Sequence, residues 1–201
     1  MIKRGFDIFF AVASLVLLSP IMVLATLLIK CDSKGPVLFK QERIGRAFCP
    51  FLIYKFRTMR QDLDKKARLI TIGEDPRITR IGRVLRKTKI DELPQLINVL
   101  KGDMSFVGPR PEVRHFVELF RREYEEILTV RPGITDLASL KYRDEASLLA
   151  KAKDPEEEYV THVLPDKISM AKDYLQHSSF LFDLSLICKT IFKLFDYRTS
   201  P

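Results

Sequence analysis

The sequence predicts an α+β protein that is mostly helical, with an N-terminal re-entrant membrane helix, a small β-hairpin and amphipathic helices packed at the membrane surface. Three observations favour this fold class. Residues 8–29 contain no charged side chain, and residues 37–59 read as two short strands around a glycine turn. Apolar side chains recur at helical spacing through most of the remaining chain. A chain of 201 residues is also long enough to bury a full core.

The uncharged run near the N-terminus predicts a membrane segment. Its 22 residues, at roughly 1.5 Å per helical residue, are long enough to cross the hydrocarbon core of a bilayer. A cleaved signal peptide fits less well, because its apolar part usually has about 7–15 residues and no small-residue cleavage site ends this run. We therefore predict a membrane-inserted helix over residues 1–34 and a cytoplasmic domain over residues 35–201.

Positive charge flanks this helix at both ends and bears on its topology. Lys3 and Arg4 precede it, and five cations follow it: Lys30, Lys34, Lys40, Arg43 and Arg46. The positive-inside rule places both ends in the cytoplasm, which a simple span cannot satisfy. Pro20 removes a backbone donor, and the hydroxyl of Ser19 can satisfy a carbonyl that is left free. We predict a helix that breaks at Ser19-Pro20 and returns to the same face; a kinked transmembrane helix is the alternative.

The net charge of +8 comes from one part of the chain. Between residues 55 and 89, twelve Lys or Arg residues accompany four Asp or Glu residues, and the rest of the chain is balanced. Such a concentration of positive charge suits nucleic acid, an acidic lipid surface or a phosphorylated substrate. A solvated basic face would have the same composition.

The three cysteines, Cys31, Cys49 and Cys188, are scattered, with neither close pairing nor the spacing of metal ligands. This usage is typical of a reducing compartment and argues against a disulfide scaffold. We predict that the three thiols are buried.

Residues 37–43 and 51–59 predict a short β-hairpin with a turn at Gly45. Apolar and basic residues alternate at the end of the second strand, so Lys55 and Arg57 share one of its faces. These two cations could bind phosphate or simply face water.

Residues 61–76 are polar and irregular and predict a mobile excursion. Residues 77–88 predict a short amphipathic helix with Ile78, Ile81 and Leu85 on its apolar face. Its basic face suits contact with anionic lipid headgroups and carries Arg80, Arg83, Arg86 and Lys87. Arg86 lies five residues before Asp91, close enough to serve an acidic site there.

Asp91 and Glu92 stand at a predicted helix start and are the central candidate site. Asp is a favoured N-cap, and Pro94 is tolerated only in the first turn of a helix. The structural alternative is therefore that Asp91 caps the helix and Glu92 favours its dipole. Residues 108–111, Gly-Pro-Arg-Pro, hold one arginine between two prolines, which reduces the entropy lost when Arg110 binds an anion.

The C-terminal half predicts helices and one further rigid loop. A core-facing helix is predicted around residues 113–124, and two more over residues 167–176 and 180–195. Residues 131–136 form a loop shaped by Gly and Pro that carries Arg131. The acidic stretch 141–158 reads as solvent-facing helix and connection.

Taken in order, six motifs resemble the bacterial sugar transferases known as monotopic phosphoglycosyl transferases. They are Ser19-Pro20, Tyr54-Lys55-Phe56-Arg57-Thr58-Met59, Asp91-Glu92-Leu93-Pro94-Gln95, Lys101-Gly102-Asp103-Met104-Ser105, Val107-Gly108-Pro109-Arg110-Pro111 and Arg131-Pro132-Gly133-Ile134-Thr135. The ordered set runs through nearly the whole chain and is far more specific than any one motif. The chain resembles the minimal catalytic form, without the extra N-terminal helices of longer members.

The resemblance implies an enzyme that transfers a sugar 1-phosphate from a UDP-sugar to polyprenyl (undecaprenyl) phosphate and releases UMP. This reaction initiates membrane glycan assembly, such as that of exopolysaccharide or lipopolysaccharide, at the cytoplasmic face of the bacterial inner membrane. The implied cofactor is Mg²⁺, and the implied partners are the two substrates and the lipid bilayer, without nucleic acid. A homodimer and contact with downstream glycosyltransferases are left open.

The resemblance also assigns roles to residues. Asp91 matches the nucleophile, which would form a covalent aspartyl phosphosugar, and Glu92 matches its partner in proton transfer or metal binding. Both are therefore the candidate Mg²⁺ ligands. Phosphoryl transfer requires cations around the diphosphate, and the motif positions assign this role first to Lys55, Arg86 and Arg110, and then to Arg57 and Arg131.

Two departures limit what the resemblance implies. Residues 136–139 read Asp-Leu-Ala-Ser where many members have Gly-Trp-Ala-Gln, so the sugar and the role of Asp136 are left open. Some members carry an acid at the position of Ala171, and Asp173 lies two residues further on without an assigned role.

Two other classes of function are weighed against the enzyme. One is a non-catalytic, membrane-tethered scaffold. The other is a basic nucleic-acid-binding module, although the basic span contains no known nucleic-acid motif and no stacking series of aromatic residues.

Overall fold

The computed structural model describes residues 2–60, 70–73 and 75–195. The helices are α1 (Ile2–Asp32), α2 (Arg80–Lys87), α3 (Gln95–Lys101), α4 (Arg114–Leu119), α5 (Arg121–Ile127), α6 (Leu137–Lys141), α7 (Glu145–Leu149), α8 (Pro155–Glu158), α9 (Leu164–His177) and α10 (Phe180–Phe195). The strands are β1 (Leu38–Ile44), β2 (Pro50–Phe56), β3 (Ser105–Val107) and β4 (Gly133–Thr135). The predicted α+β, mostly helical class is confirmed. The excursion predicted over residues 61–76 lies mainly outside the described residues.

The predicted β-hairpin is confirmed. β1 and β2 pair antiparallel, with Leu38 opposite Phe56, and a 3-10 turn at Arg46–Phe48 connects them. Ile53 packs with α3 and the first half of α1, whereas Phe56 packs with the second half of α1 and with α2. The end of β2 is therefore held among α1, α2 and α3.

The sequence does not predict the second sheet, in which β3 and β4 pair in parallel with Val107 opposite Thr135. Each strand has three residues, too few to show the alternation that marks a strand. The strands come together through a close backbone approach, because a Cβ on Gly133 would lie 2.1 Å from the backbone nitrogen of Gly108. This contact holds the loop that carries Arg110 against β4.

α1 is helical from Ile2 to Asp32 and contains Pro20. The helix does not end at Ser19-Pro20, since it continues through both residues, and a bend there that returns the chain to the same face stays a prediction. The proline removes the donor to the carbonyl of Val16, four residues earlier, and Ser19 Oγ donates to that oxygen at 2.8 Å. The expected use of the serine hydroxyl is confirmed, and it satisfies the oxygen that the proline leaves free.

Both ends of α1 contact the rest of the domain. Near the N-terminus Ala11 is buried with Leu96 of α3, and near the C-terminus Ile29 is buried with Leu85 of α2. Between them the surface is apolar and open, and Leu17 is 77% exposed. By length and composition α1 could cross a membrane, and this open middle is the part that a bilayer would cover.

The largest core cluster joins α4, α5 and α9 to the end of β1. The single helix predicted over residues 113–124 is two helices, because Phe120 leaves the helical region with φ −117° and ψ 39°. Phe116 and Tyr124, on either side of this break, are both buried. The helix predicted over residues 167–176 is confirmed as α9.

α10 is amphipathic, as predicted, with Leu186 fully buried and Leu181 75% exposed. The prediction of buried thiols is wrong, because the three cysteines are exposed: Cys31, Cys49 and Cys188. They lie at the end of α1, in the hairpin turn and on the outer side of α10, which are positions at the edge of the fold rather than in its core.

Candidate active site

Three parts of the chain meet at the acidic pair of residues 91–92: the end of β2, the turn before α3 and the loop after β3. Asn98, which is fully buried in α3, connects α3 to β2. Its Oδ1 accepts from the backbone N–H of Tyr54 at 3.0 Å, and its Nδ2 donates to the carbonyl of Leu52 at 2.7 Å. These bonds fix β2 against α3 and thereby hold Lys55 next to the acidic pair.

The acidic pair lies in a 3-10 turn, Ile90–Glu92, that leads into α3. Lys89 opens the turn with a left-handed φ of 57°, and α3 itself begins at Gln95. A helical turn therefore begins within one residue of Asp91, as predicted, but α3 itself begins four residues after it. The alternative that Asp91 caps the helix is wrong, because Lys89 occupies the capping position of the turn and Pro94 that of α3.

Glu92 is held by two cations. Its Oε1 accepts hydrogen bonds from Lys55 Nζ at 2.8 Å and from Arg110 Nη2 at 2.7 Å. Burial by itself would raise the pKa of Glu92, but Arg110 and Lys55 together outweigh it and hold that pKa well below its ordinary value. The charge of Glu92 raises the pKa of Arg110 in return. Glu92 is therefore a permanent anion that positions both cations.

Asp91 has a different environment. It is only 7% exposed, and among the residues that the structure describes its Oδ1 has no hydrogen-bond partner. Burial, and after it the adjacent charge of Glu92, raise the pKa of Asp91 against the pull of Lys55 and other nearby cations. Neighbouring carboxyls whose pKa values are pushed apart typically have different chemical roles. Glu92 is the ion-paired anion, and Asp91 is the more basic carboxylate, with a buried oxygen that is unpaired within the described structure.

Arg86 approaches the pair from α2. A Cβ on Gly82 would lie 2.1 Å from the carbonyl oxygen of Thr58, so only glycine lets α2 pack this closely. Thr58 Oγ1 accepts from Arg86 Nε at 3.0 Å, and the charge of Arg86 lowers the pKa of Asp91, after the larger effects. Burial lowers the pKa of Arg86 itself. The structure thus gathers around the acidic pair the three cations that the motif positions placed first.

Asp136, whose role the sequence leaves open, and Ser139 hold Arg110 in place. Asp136 Oδ2 accepts from the backbone N–H of Arg110 at 3.1 Å, and its Oδ1 caps α6 through the N–H of Ser139 at 2.7 Å. Ser139 Oγ accepts from Arg110 Nη1 at 3.4 Å. Because Asp is a favoured residue at a helix start, the capping role of Asp136 could be predicted from the sequence. Its hydrogen bond to Arg110 could not, because that contact forms only when the chain is folded.

The other two predicted cations make contacts elsewhere. Arg57 is buried, and its Nη2 donates to the carbonyl and Oγ of Ser33 at 2.7 and 2.8 Å, which ties β2 to the end of α1. Arg131 Nε donates to the carbonyl of Gly102 at 2.8 Å, at the opposite end of α3 from the acidic pair. Their assignment to substrate phosphate stays a prediction.

The side chains at the site fit the expected Mg²⁺ only if a substrate supplies part of the coordination shell of the ion. Across residues 2–60, 70–73 and 75–195, no group of three or more His, Cys, Asp or Glu side chains forms a metal site by itself. Mg²⁺ usually takes one or two carboxylates and completes its shell with substrate phosphate and water. Asp91 and Glu92, as two adjacent carboxylates, match this donor set. Asp173 does not add to it, since it lies on the surface beside His177.

The fold and the site together define a class of protein: a mostly helical domain on a long apolar helix, with a buried acidic pair set among cations. The chain belongs to the bacterial sugar transferase family, whose model matches residues 1–197. The resemblance stated from the sequence motifs is thereby confirmed. The apolar helix and this family are consistent with association with a membrane.

Three relatives illustrate the family. The chain is 43% identical over 195 residues to the UDP-N-acetylgalactosamine-undecaprenyl-phosphate N-acetylgalactosaminephosphotransferase of Aeromonas hydrophila, a match that covers 94% of this chain and 43% of that protein. It is 36% identical over 199 residues to the UDP-glucose:undecaprenyl-phosphate glucose-1-phosphate transferase of Escherichia coli (strain K12), covering 97% and 40%. It is 48% identical over 148 residues to the exopolysaccharide production protein PSS of Rhizobium leguminosarum bv. phaseoli, covering 70% and 74%. The chain therefore spans less than half the length of the first two relatives.

Proposed function

We propose that this protein transfers a sugar 1-phosphate from a UDP-sugar to undecaprenyl phosphate through a covalent intermediate on Asp91, with release of UMP. The proposal rests on one observation, the different environments of the two carboxylates in the acidic pair. Glu92 is neutralised by Lys55 and Arg110, whereas Asp91 is buried, more basic and has one oxygen without a hydrogen-bond partner in the described structure. The undecaprenyl-phosphate transferases among its relatives support the substrate class.

In the first half-reaction a carboxylate oxygen of Asp91 attacks the phosphorus that bears the sugar. A bond forms between that oxygen and phosphorus, the bond to the bridging oxygen breaks, and UMP leaves with the electron pair. A carboxylate with a raised pKa is the more basic nucleophile once it is ionised. The position beside Lys55 and Arg86 favours this ionised form.

In the second half-reaction a phosphate oxygen of the lipid attacks the same phosphorus. The bond between phosphorus and Asp91 breaks, and the carboxylate is regenerated. Because the two half-reactions share one site, the kinetics should be ping-pong.

The cations around the pair have the charge that this chemistry requires. A diphosphate and then a lipid phosphate must approach two carboxylates, and Lys55, Arg86 and Arg110 offset that repulsion. The pairing with Glu92 holds Lys55 and Arg110 in place before the substrate arrives, so little reorganisation is needed. Mg²⁺, held by Asp91 and Glu92 together with substrate phosphate, would supply further neutralisation of the diphosphate.

We also propose that α1 is re-entrant, so that the site faces the cytoplasm at the bacterial inner membrane. Two features support this topology: the cations at both ends of α1, and the burial of both Ala11 and Ile29 against the same domain. The three native cysteines are exposed and would first be replaced by serine. Single cysteines at Ile2 and Lys34 should then react with a membrane-impermeant thiol reagent from the same face, and reaction from opposite faces would contradict the proposal.

The central experiment measures UMP release by the protein in lipid nanodiscs, with undecaprenyl phosphate and a panel of UDP-sugars. We expect release with at least one donor, and Asp91→Asn should abolish it while membrane insertion is kept. The names of the relatives differ in the sugar, N-acetylgalactosamine in one and glucose in another, so both belong in the panel. Normal turnover by Asp91→Asn would refute the mechanism, and no release with any donor would favour the scaffold instead.

A further inference from the structure

Lys89 is a lysine beside the acidic pair to which the proposed reaction assigns no role. Its backbone N–H donates to the carbonyl of Arg86 at 3.2 Å, and its carbonyl accepts from the N–H of Glu92 at 3.1 Å. Asp91 follows two positions later in the chain. The backbone of Lys89 therefore lies between α2 and the acidic pair, inside the candidate site.

The backbone conformation at this position does not explain why the residue is a lysine. α2 ends at Lys87, Thr88 is its C-cap, and Lys89 follows in the left-handed region with φ 57° and ψ 14°. Glycine is the usual residue after a helix C-cap, because a side chain is strained at positive φ. Residues held in such conformations cluster at functional sites. A function of the lysine side chain would account for its presence here.

The side chain of Lys89 differs from those of the other cations at the site, because it has no partner. Lys55 and Arg110 are both bound to Glu92. Arg86 donates to a threonine hydroxyl. Lys89 is partly exposed, and it makes no side-chain hydrogen bond or ion pair with any residue that the structure describes. An ammonium group on a flexible stem that no carboxylate holds is free to bind an anion from solution.

The charge of Lys89 nevertheless reaches both carboxyls of the pair. Burial and the adjacent carboxylate raise the pKa of Asp91, and Lys89 is among the cations that act against them. Burial also raises the pKa of Glu92, and Lys89 lowers it after the two cations that bind Glu92 directly. Because such effects fade with distance, the ammonium group lies near enough to act on a phosphate bound at the pair.

A UDP-sugar brings two phosphates to this site, and the proposed reaction uses only one of them. The phosphate that bears the sugar is attacked by Asp91. The other phosphate stays on the uridine. It gains negative charge when the bond to the bridging oxygen breaks and the electron pair stays on UMP. A cation in contact with this phosphate stabilises the leaving group most strongly as that charge develops, which accelerates the step.

We propose that Lys89 binds the uridine-bound phosphate of the donor and offsets the charge that develops on UMP as it leaves. This inference rests on the proposed function, because it requires a nucleotide diphosphate donor. The ammonium group keeps its proton throughout and donates hydrogen bonds to the phosphate oxygens. Lys55 and Arg110 stay with Glu92 beside the sugar-bearing phosphate, so each phosphate of the donor has its own cations.

The first experiment measures binding without turnover. UMP and uridine are titrated separately into the Asp91→Asn variant in lipid nanodiscs, with and without Lys89→Met. We expect Lys89→Met to weaken UMP binding by about 10-fold or more, since hydrogen bonds to charged groups commonly contribute this much. Uridine lacks the phosphate, so its affinity should stay within about twofold. Equal loss of affinity for both ligands would overturn the proposal.

Lys89→Gly separates the charge from the backbone. Glycine adopts the left-handed conformation readily, so this variant should not unfold at a lower temperature, yet it should lose UMP affinity as Lys89→Met does. Lys89→Arg keeps the charge and should keep most of the affinity. Lys153→Met is the matched control, because it makes the same change at an exposed lysine after α7 and should alter nothing. Normal UMP binding by Lys89→Gly would overturn the proposal, because only the backbone would then matter.

Steady-state kinetics distinguish the donor phosphate from the lipid phosphate. In a ping-pong reaction, kcat/KM for the donor reports the first half-reaction and kcat/KM for the lipid reports the second. Lys89→Met should lower kcat/KM for the UDP-sugar by about 10- to 100-fold and leave that for undecaprenyl phosphate within about twofold. A loss confined to undecaprenyl phosphate would overturn the proposal, because it would place Lys89 at the lipid phosphate.

Failure of this inference and failure of the proposed function give different results. Unchanged UMP affinity in Lys89→Met, together with UMP release by the unmodified protein, would overturn the role of Lys89 alone. Absence of UMP release from the unmodified protein with every donor would overturn the proposed function, and the role of Lys89 with it.

Discussion

Replacement of Asp91 by Asn should stabilise the protein while it abolishes turnover. The ionised carboxylate is 7% exposed, and in the described structure one of its oxygens has no hydrogen-bond partner. Burial of a charge in this way is unfavourable unless the charge is fully paired. Asn has nearly the same shape and no charge, so it removes this unfavourable contribution to the free energy of folding.

The pH dependence follows from the direction of the pKa shift. The pKa of Asp91 is raised above its ordinary value near 3.8, so the folded protein binds this proton more tightly than the unfolded chain does. Stability therefore falls as the pH rises from the unfolded pKa to the folded pKa, and the destabilisation is complete above the folded pKa. The advantage of Asp91→Asn should be absent in acid and largest at neutral pH.

The size of the effect comes from the charge alone, because Asn keeps a neutral oxygen at the position of Oδ1. An unsatisfied buried group costs more when it is charged than when it is neutral, and we take this difference as about 1 kcal/mol, which corresponds to roughly 2–4 °C in Tm for a chain of this size. Asp91→Asn should therefore raise Tm by about 2 °C or more at neutral pH.

Thermal unfolding in one detergent, from about pH 4 to about pH 8, measures this difference directly. Asp173→Asn serves as the control, because Asp173 lies on the surface of α9 and its replacement should change stability by less than about 0.5 kcal/mol. A lower Tm for Asp91→Asn at neutral pH would refute the reasoning. A difference that does not vary with pH would refute it as well.

Three further predictions concern the framework around the acidic pair and in α1. Glu92→Gln removes the anion shared by two partly buried cations and should lower the free energy of unfolding by about 3–5 kcal/mol in denaturant unfolding. In the unmodified protein this contribution is complete above the unfolded pKa of Glu92 and is lost as the pH falls through its depressed folded pKa. Asn98→Leu leaves two backbone groups of β2 without their amide partner and should cost about 2–4 kcal/mol in the same assay. Ser19→Ala removes the hydroxyl donor to the carbonyl of Val16 and should cost about 1 kcal/mol, measured by thermal unfolding in lipid.

Controls and contrary results for these three variants are as follows. Glu126→Gln removes an exposed ion-pair partner of Lys172, 3.6 Å away, and should have almost no effect, so an equally small effect of Glu92→Gln would contradict its role as a shared anion. Ser14→Ala changes the same side chain in α1 away from the proline, and it should be less harmful than Ser19→Ala. Unchanged stability of Asn98→Leu would show that this amide does not fix β2 against α3.

Several elements could be predicted because their signals are local. The alternation around Lys55, the helical repeat of Ile81 and Leu85, and the uncharged run before Lys30 each occupy a short stretch of chain. The break at Phe120 and the strands β3 and β4 could not be predicted, because they depend on packing and on the close approach of distant backbone segments.

The candidate site divides in the same way. Proline on both sides of Arg110 and an acidic pair before an apolar helix are visible in the order of residues. The roles within the pair are not visible, since adjacent carboxyls have equivalent positions in a sequence. Glu92 becomes the ion-paired member because Lys55 and Arg110, which are 37 and 18 positions away along the chain, both reach its Oε1.

By itself, therefore, the sequence determined the class of fold, the apolar helix with cations at both ends, the family and the chemical groups available at the site. These properties depend on residue type and on spacing over a few turns. The tertiary structure alone decided that Asp136 holds Arg110, that Arg57 and Arg131 make their contacts elsewhere, and that one buried oxygen of Asp91 has no partner in the described structure. These depend on burial and on distances between residues far apart in the chain, and such quantities exist only once the chain is folded.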